Sequence, residues 1–160
     1  MSTGVNPAAV LLKVLSGLYD RSVVIAPAAA FEPSAAVPAV IASYQSDSGD
    51  PLGLWICSMA AAAHLGAALS LLPKAVADDC ARRNRLEDNL VDNFREVANV
   101  CSVVIAECLG ERALLSGMQE RAAAIPSELA AFVKTTKRFD LSVDVAGYGK
   151  GPVSLRLPKR

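Results

Sequence analysis

The stretch from Asp92 to Asn99, DNFREVAN, sets an acid, a second acid and an amide at D-x3-E-x2-N spacing. On a helix turning about 100° per residue, with Asp92 at zero, Glu96 falls at about 40° and Asn99 at about 340°, so the three share one narrow stripe. Leu90, Phe94, Val97 and Cys101 fall at roughly 140° to 200° on the same wheel, which turns the polar trio outward from an apolar side. A carboxylate and a carboxamide held one turn apart on a rigid helix can grip a cation with one group and aim a water with the other.

Other chemistries find less support. Sixteen Lys and Arg residues balance sixteen Asp and Glu, so no global field favours nucleic acid, anionic lipid or a polyanionic substrate. The densest basic run, Arg82, Arg83 and Arg85, reads as a solvated link into the next helix. Cys57, Cys80, Cys101 and Cys108 form no C-x-x-C pair, and His64 has no acid or cysteine at ligand spacing, so no metal site is expected in this chain. Cys101 and Cys108, two helical turns apart, read as small hydrophobes of a reducing cytoplasm rather than a disulfide. His64, amid MAAAAHLGAAL, has no nucleophile motif beside it and reads as a packed or partly exposed helix residue. The N-terminal MSTGVNPAAVLLKVL lacks a cationic region and a cleavage site, so no signal peptide is expected.

The elements that must position the trio follow from pattern. A chain of 160 residues with 52% hydrophobic and 20% charged residues and no linker-like run is expected to form one domain over 1–160. Asn6 and Pro7 open a helix with an apolar face reaching Tyr19. Arg21 to Ala26 and Val37 to Gln45 read as strands, and SDSGDP at 46–51 as a turn. Leu52 to Leu72 contains no Asp, Glu, Lys or Arg and is long enough to cross a bilayer. Its character changes midway, however, from Leu54, Trp55 and Ile56 to an Ala-rich run, which predicts a buried strand to Cys57 and a buried helix from Met59 to Leu72. Residues 74–83 read as a short helix or irregular link. Asn84 with Glu87 suggests a capping box opening one long helix that carries the trio and ends at Gly110. Ala113 to Gln119 reads as a strand and Pro126 to Phe132 as a short helix. Phe139, Leu141, Val143 and Val145 alternate with Asp140, Ser142 and Asp144, GYGKG turns the chain, and Val153, Leu155 and Leu157 alternate again, predicting a hairpin. The fold class expected is α+β, a mainly antiparallel sheet with helices packed on one face.

Asp92, Glu96 and Asn99, on a helix that follows strands and a small-residue helix, resemble the signature of the CheC/CheX/FliY chemotaxis phosphatases, and the absence of a second such stripe resembles the single-site CheX-like members. The resemblance implies dephosphorylation of the phospho-aspartate of response-regulator receiver domains. It implies that Glu96 binds a receiver lysine and that Asn99 reaches the acyl phosphate and orients a water for in-line attack. Asp92 would help dock or orient the partner. No cofactor is expected in this chain, and Mg²⁺ is expected on the receiver. Such a division suits phosphoryl transfer, which needs positioning and charge stabilisation more than a covalent nucleophile. The resemblance also implies a homodimer.

The chain departs from that family pattern in three places. The usual glycine one turn beyond the asparagine is replaced by Val103, at about 20° on the same wheel, so a branched side chain joins the partner-binding stripe. The downstream proline is replaced by Ser116 to Met118, with Pro126 coming later, and the stretch after the asparagine reads VCSVVIAE. Three functions follow as expectations, in this order: an aspartyl-phosphate phosphatase, a CheX-like module that binds a signalling partner without hydrolysis, and a structural protein of a secretion or motility assembly. The first two call for neither nucleic acid nor membrane.

Overall fold

The computed structural model describes residues 4–159. Residues 1–3, part of the stretch read as lacking a signal peptide, and Arg160 lie outside the described residues. Asn6 caps the first helix, its side chain accepting from the Ala8 N–H at 3.0 Å, and Pro7 occupies the first turn, where its missing N–H costs nothing. The elements are α1 (Pro7–Leu18), β1 (Val23–Pro27), β2 (Ala39–Gln45), β3 (Pro51–Ser58), α2 (Met59–Leu69), α3 (Lys74–Arg83), α4 (Asp88–Val100) and α5 (Ser102–Leu109). They are followed by β4 (Leu114–Ala122), a 3-10 turn at Ser127–Leu129, α6 (Ala130–Lys134), β5 (Thr136–Val145) and β6 (Gly149–Pro158).

The strands form one 6-stranded sheet in the order β1-β5-β6-β3-β2-β4, antiparallel at every pairing. Strand alternation sends Val40, Ala42, Tyr44, Trp55, Cys57, Val153 and Leu155 to one face, where α1, α2, α4 and α5 cover them. Ile41, Leu54 and Ile56 point to the other face, under Phe31 and the side chains of Ile125, Leu129 and Phe132. Beside that smaller cluster lies an ionic strap. Glu32 Oε1 accepts from Arg138 at 2.6 Å and from the buried Arg156 at 2.7 Å, while Arg138 also grips Asp140 at 2.7 and 2.9 Å. The architecture is the α+β sheet that the alternation predicts, with the longer helices on one face.

The uncharged segment 52–72 resolves into β3, central in the sheet, and α2, capped by the Ser58 hydroxyl accepting from the Ala61 N–H at 3.1 Å. Among the described residues no helix is long and apolar enough to cross a membrane. Residues 74–83 are helical.

The one long helix expected from Asn84 to Gly110 is two helices, and it starts later. Asn84 takes the left-handed conformation (φ 52°, ψ 39°) and ends α3, with its N–H on the Ala81 carbonyl and that of Arg85 on the Cys80 carbonyl. No capping box forms: Glu87 is the N-cap of α4 and makes no side-chain cap bond. Cys101, with ψ −4°, then breaks the rod, and the Val104 N–H bonds the Cys101 carbonyl in a tighter turn.

Candidate functional site

The apolar side of α4 fixes its rotation. Leu90, Phe94, Val97 and Ala98 are fully buried, and the Phe94 ring stacks on Trp55 with centroids 5.5 Å apart and planes 29° apart. On one flank Asn93 donates from Nδ2 to the Gly66 carbonyl at 3.0 Å and to Ser70 Oγ at 2.7 Å, tying α4 to α2. The two helices cross closely because Gly66 has no side chain: a Cβ there would stand 3.1 Å from the Leu90 carbonyl oxygen and 3.5 Å from the Phe94 nitrogen. Near the C-terminal end of α4, the buried Tyr44 hydroxyl donates to the Ala98 carbonyl at 2.6 Å. Ring stack, amide tether and tyrosine hydroxyl together hold the helix at three points.

Rotation fixed in this way turns Asp92, Glu96 and Asn99 to solvent, all three within α4. Their side chains make no hydrogen bond or ion pair with any described residue. Residues three and four apart on a helix have Cβ atoms about 5–6 Å apart, so the carboxylates of Asp92 and Glu96 repel one another and the Asn99 amide stands beside them. Two free anionic groups and one free amide on a clamped rod form a surface ready to bind a cation and to hold a water. Val103 is 44% exposed but belongs to α5, beyond the break at Cys101, so its phase relative to the trio is not that of a continuous wheel.

The remaining singled-out residues are structural. His64 is buried, and its Nε2 lies 3.1 Å from Asp78 Oδ1, an acid supplied by α3 that Lys74 also contacts at 2.6 Å. Sequence spacing hid that partner because it comes from the next helix. Hydrogen bonds from Lys74 and then His64 hold the Asp78 carboxyl below its ordinary range. Burial raises the thiols of Cys57 and Cys101, which pack as small hydrophobes. Arg82 and Arg83 are exposed and pair with Asp79. Among the described residues no group of three or more His, Cys, Asp or Glu side chains converges as a metal ligand set. Tyr44 and Asn93, which position the site, were not singled out from sequence. The available signals were an amide at the border of the apolar stripe of α4 and a tyrosine in phase with Val40 and Ala42 on β2.

No family model and no curated protein matches this sequence. Solved structures match its fold along nearly the whole chain. The FliM middle domain from H. pylori superposes with a TM-score of 0.60 at 10% identity, over 95% of this chain and 85% of that one. FliM in a FliG-FliM complex from H. pylori gives 0.55 at 13% identity, over 94% and 86%. Thermotoga maritima FliY gives 0.54 at 10% identity, over 95% and 84%. The chain therefore has a FliM/FliY-like α+β fold.

Proposed function

We propose that this chain is a phosphatase of the aspartyl phosphate on response-regulator receiver domains, acting through Glu96 and Asn99. The observation that carries the reading is the clamped α4 with a carboxylate and an amide side by side, exposed and free of internal partners. The FliY-like fold, together with the resemblance of the D-x3-E-x2-N stripe, supports it. Glu96 pairs with the receiver lysine and Asp92 contributes to docking. Asn99 orients the water, while the receiver's own Mg²⁺ neutralises phosphoryl charge. An amide suits that task because it orients a water without carrying a charge that repels the phosphoryl oxygens. Val103, on the surface of α5, adds an apolar contact to the partner. The same proposal places the protein in the cytoplasm as a homodimer, with the unpaired sides of β1 and β4 at the sheet's two edges available for pairing.

A second reading has its own support. The neighbour FliM is seen in complex with FliG, so the same fold serves protein binding there. Applied to this chain, it makes α4 the docking surface of a binding module that hydrolyses nothing. A panel of phosphorylated receivers separates the two. Phosphate lifetime shortened by catalytic amounts of the protein establishes the first reading, and receiver binding with unchanged phosphate lifetime establishes the second.

A further inference from the structure

One flank of α4 carries free positive charge. Among the described arginines, the side chains of Arg85 and Arg95 make no ion pair, hydrogen bond or ring contact, whereas those of the others meet a carboxylate, a backbone carbonyl or an aromatic ring. Arg95 lies on α4 with the trio, and Arg85 precedes that helix. Arg95 sits within the stripe's own turn, three residues after Asp92 and four before Asn99, and it is exposed. On the α4 wheel it falls at about 300°, between Val91 at about 260° and Asp88 at about 320°. Those two residues help line a cleft of about 530 Å³ together with Arg83, Arg85, Glu120 and Arg121. Arg121 spends Nε on the Asn84 carbonyl at 2.8 Å. The face is thus polarised, with the Glu96 carboxylate on one side of Asn99 and unspent guanidinium on the other.

We propose that Arg95 is a catalytic residue of this site, its guanidinium contacting the nonbridging phosphoryl oxygens while Asn99 aligns the water. The assignment rests on the phosphatase reading above. In the step, the water oxygen bonds to phosphorus as the bond from phosphorus to the aspartyl oxygen breaks, and that electron pair stays on the aspartate as a carboxylate. One water proton moves to a phosphoryl oxygen, and dihydrogen phosphate leaves. Negative charge on the nonbridging oxygens is what a planar, permanently charged fork stabilises, bidentately and without competing for the water. Exposure costs Arg95 nothing before docking, and the partner's surface excludes water from the pair once docked. Helical spacing keeps the guanidinium within reach of whatever Asn99 touches.

The test is single-turnover dephosphorylation of a Mg²⁺-loaded phospho-receiver, with receiver affinity measured in parallel. Arg95→Ala is expected to slow the saturating rate constant at least about 30-fold, a modest share of what an arginine contributes to phosphoryl transfer elsewhere. Affinity for the unloaded receiver should stay within about threefold, and affinity for the trifluoroberyllate-loaded receiver should fall more than that. Arg95→Lys should recover part of the rate, since it keeps the charge and loses the fork. A wild-type rate constant in Arg95→Ala, alongside a slow Asn99→Ala, overturns the assignment and leaves the phosphatase reading standing. Equal loss of affinity for loaded and unloaded receivers also overturns it, by making Arg95 a docking residue. Absence of turnover by the wild-type protein overturns both.

Discussion

Tyr44→Phe isolates one of the three clamps on α4. The Tyr44 ring is 1% exposed and its hydroxyl meets the Ala98 carbonyl at 2.6 Å, next to Asn99 and three residues before the break at Cys101. Removing only the oxygen leaves the ring packed and deprives a buried carbonyl of its donor, which costs about 1–3 kcal/mol. Taking about 2 kcal/mol, and about 2–4 °C per kcal/mol for a chain of this size, the melting midpoint falls by roughly 4–8 °C. The urea midpoint falls by roughly 0.7–1 M if the slope is about 2–3 kcal/mol/M. Amide exchange should speed up in residues 98–105, where the junction loosens, and not in β5 or β6. Dephosphorylation should slow several-fold with receiver affinity retained, because Asn99 loses its fixed aim. Burial holds the Tyr44 hydroxyl well above the ordinary tyrosine range, so the donor persists through neutral and mildly alkaline pH. Its contribution to stability is complete below the unfolded tyrosine value of about 10 and declines above it. A Tyr44→Phe protein with wild-type urea midpoint and unchanged exchange at the junction would refute the clamp.

Two further predictions follow from other contacts. Gly66→Val places branched carbon against the Leu90 carbonyl and the Phe94 nitrogen, where even a Cβ stands at 3.1 and 3.5 Å. α4 must shift, and a displacement on the order of 1 Å should slow turnover by about 10² while the protein still folds, as checked by circular dichroism and single-turnover rates. The strap on the second sheet face gives an acid limb. Burial disfavours the charged carboxyls of Glu32 and Asp140, but hydrogen bonds from Arg156 and Arg138 to Glu32, and from Arg138 and the Phe31 N–H to Asp140, outweigh it and hold both below their ordinary range. Depressed carboxyls stabilise the fold above their unfolded values near about 4 and lose that contribution as pH falls through the folded ones. Urea midpoints should therefore drop below about pH 4, and Arg138→Met should flatten that slope. Equal acid sensitivity in the two proteins would remove the strap from the account.

Periodicity carried much of the architecture. The two-residue alternation from Phe139 to Val145 and from Val153 to Leu157 became β5 and β6, and the change in character inside 52–72 became a central strand and a buried helix. The outward stripe of Asp92, Glu96 and Asn99 was legible for the same reason, since Leu90, Phe94 and Val97 define the opposite side of one helix. What stayed hidden was decided by single backbone conformations or by distant partners. Asn84 reads equally well as a helix start and as a left-handed helix end, and in the fold it is the latter, closing α3. Nothing in VANVCSVV marks Cys101 as a break, so a single wheel was drawn across the junction to Val103. Glu32 meets Arg138 and Arg156 across separations of 106 and 124 residues, which no local pattern encodes.

The central claim is that an exposed amide on a clamped helix positions the attacking water. Its most direct test is the lifetime of a phospho-receiver that the protein binds, with wild-type chain and with Asn99→Ala compared at saturating concentration. The Asn99 side chain has no partner within the described residues, so its removal leaves the fold intact. The account predicts that the wild-type chain shortens the lifetime and that Asn99→Ala loses the acceleration by about 10² or more at unchanged receiver affinity. Acceleration by Asn99→Ala equal to that of the wild-type chain would contradict it.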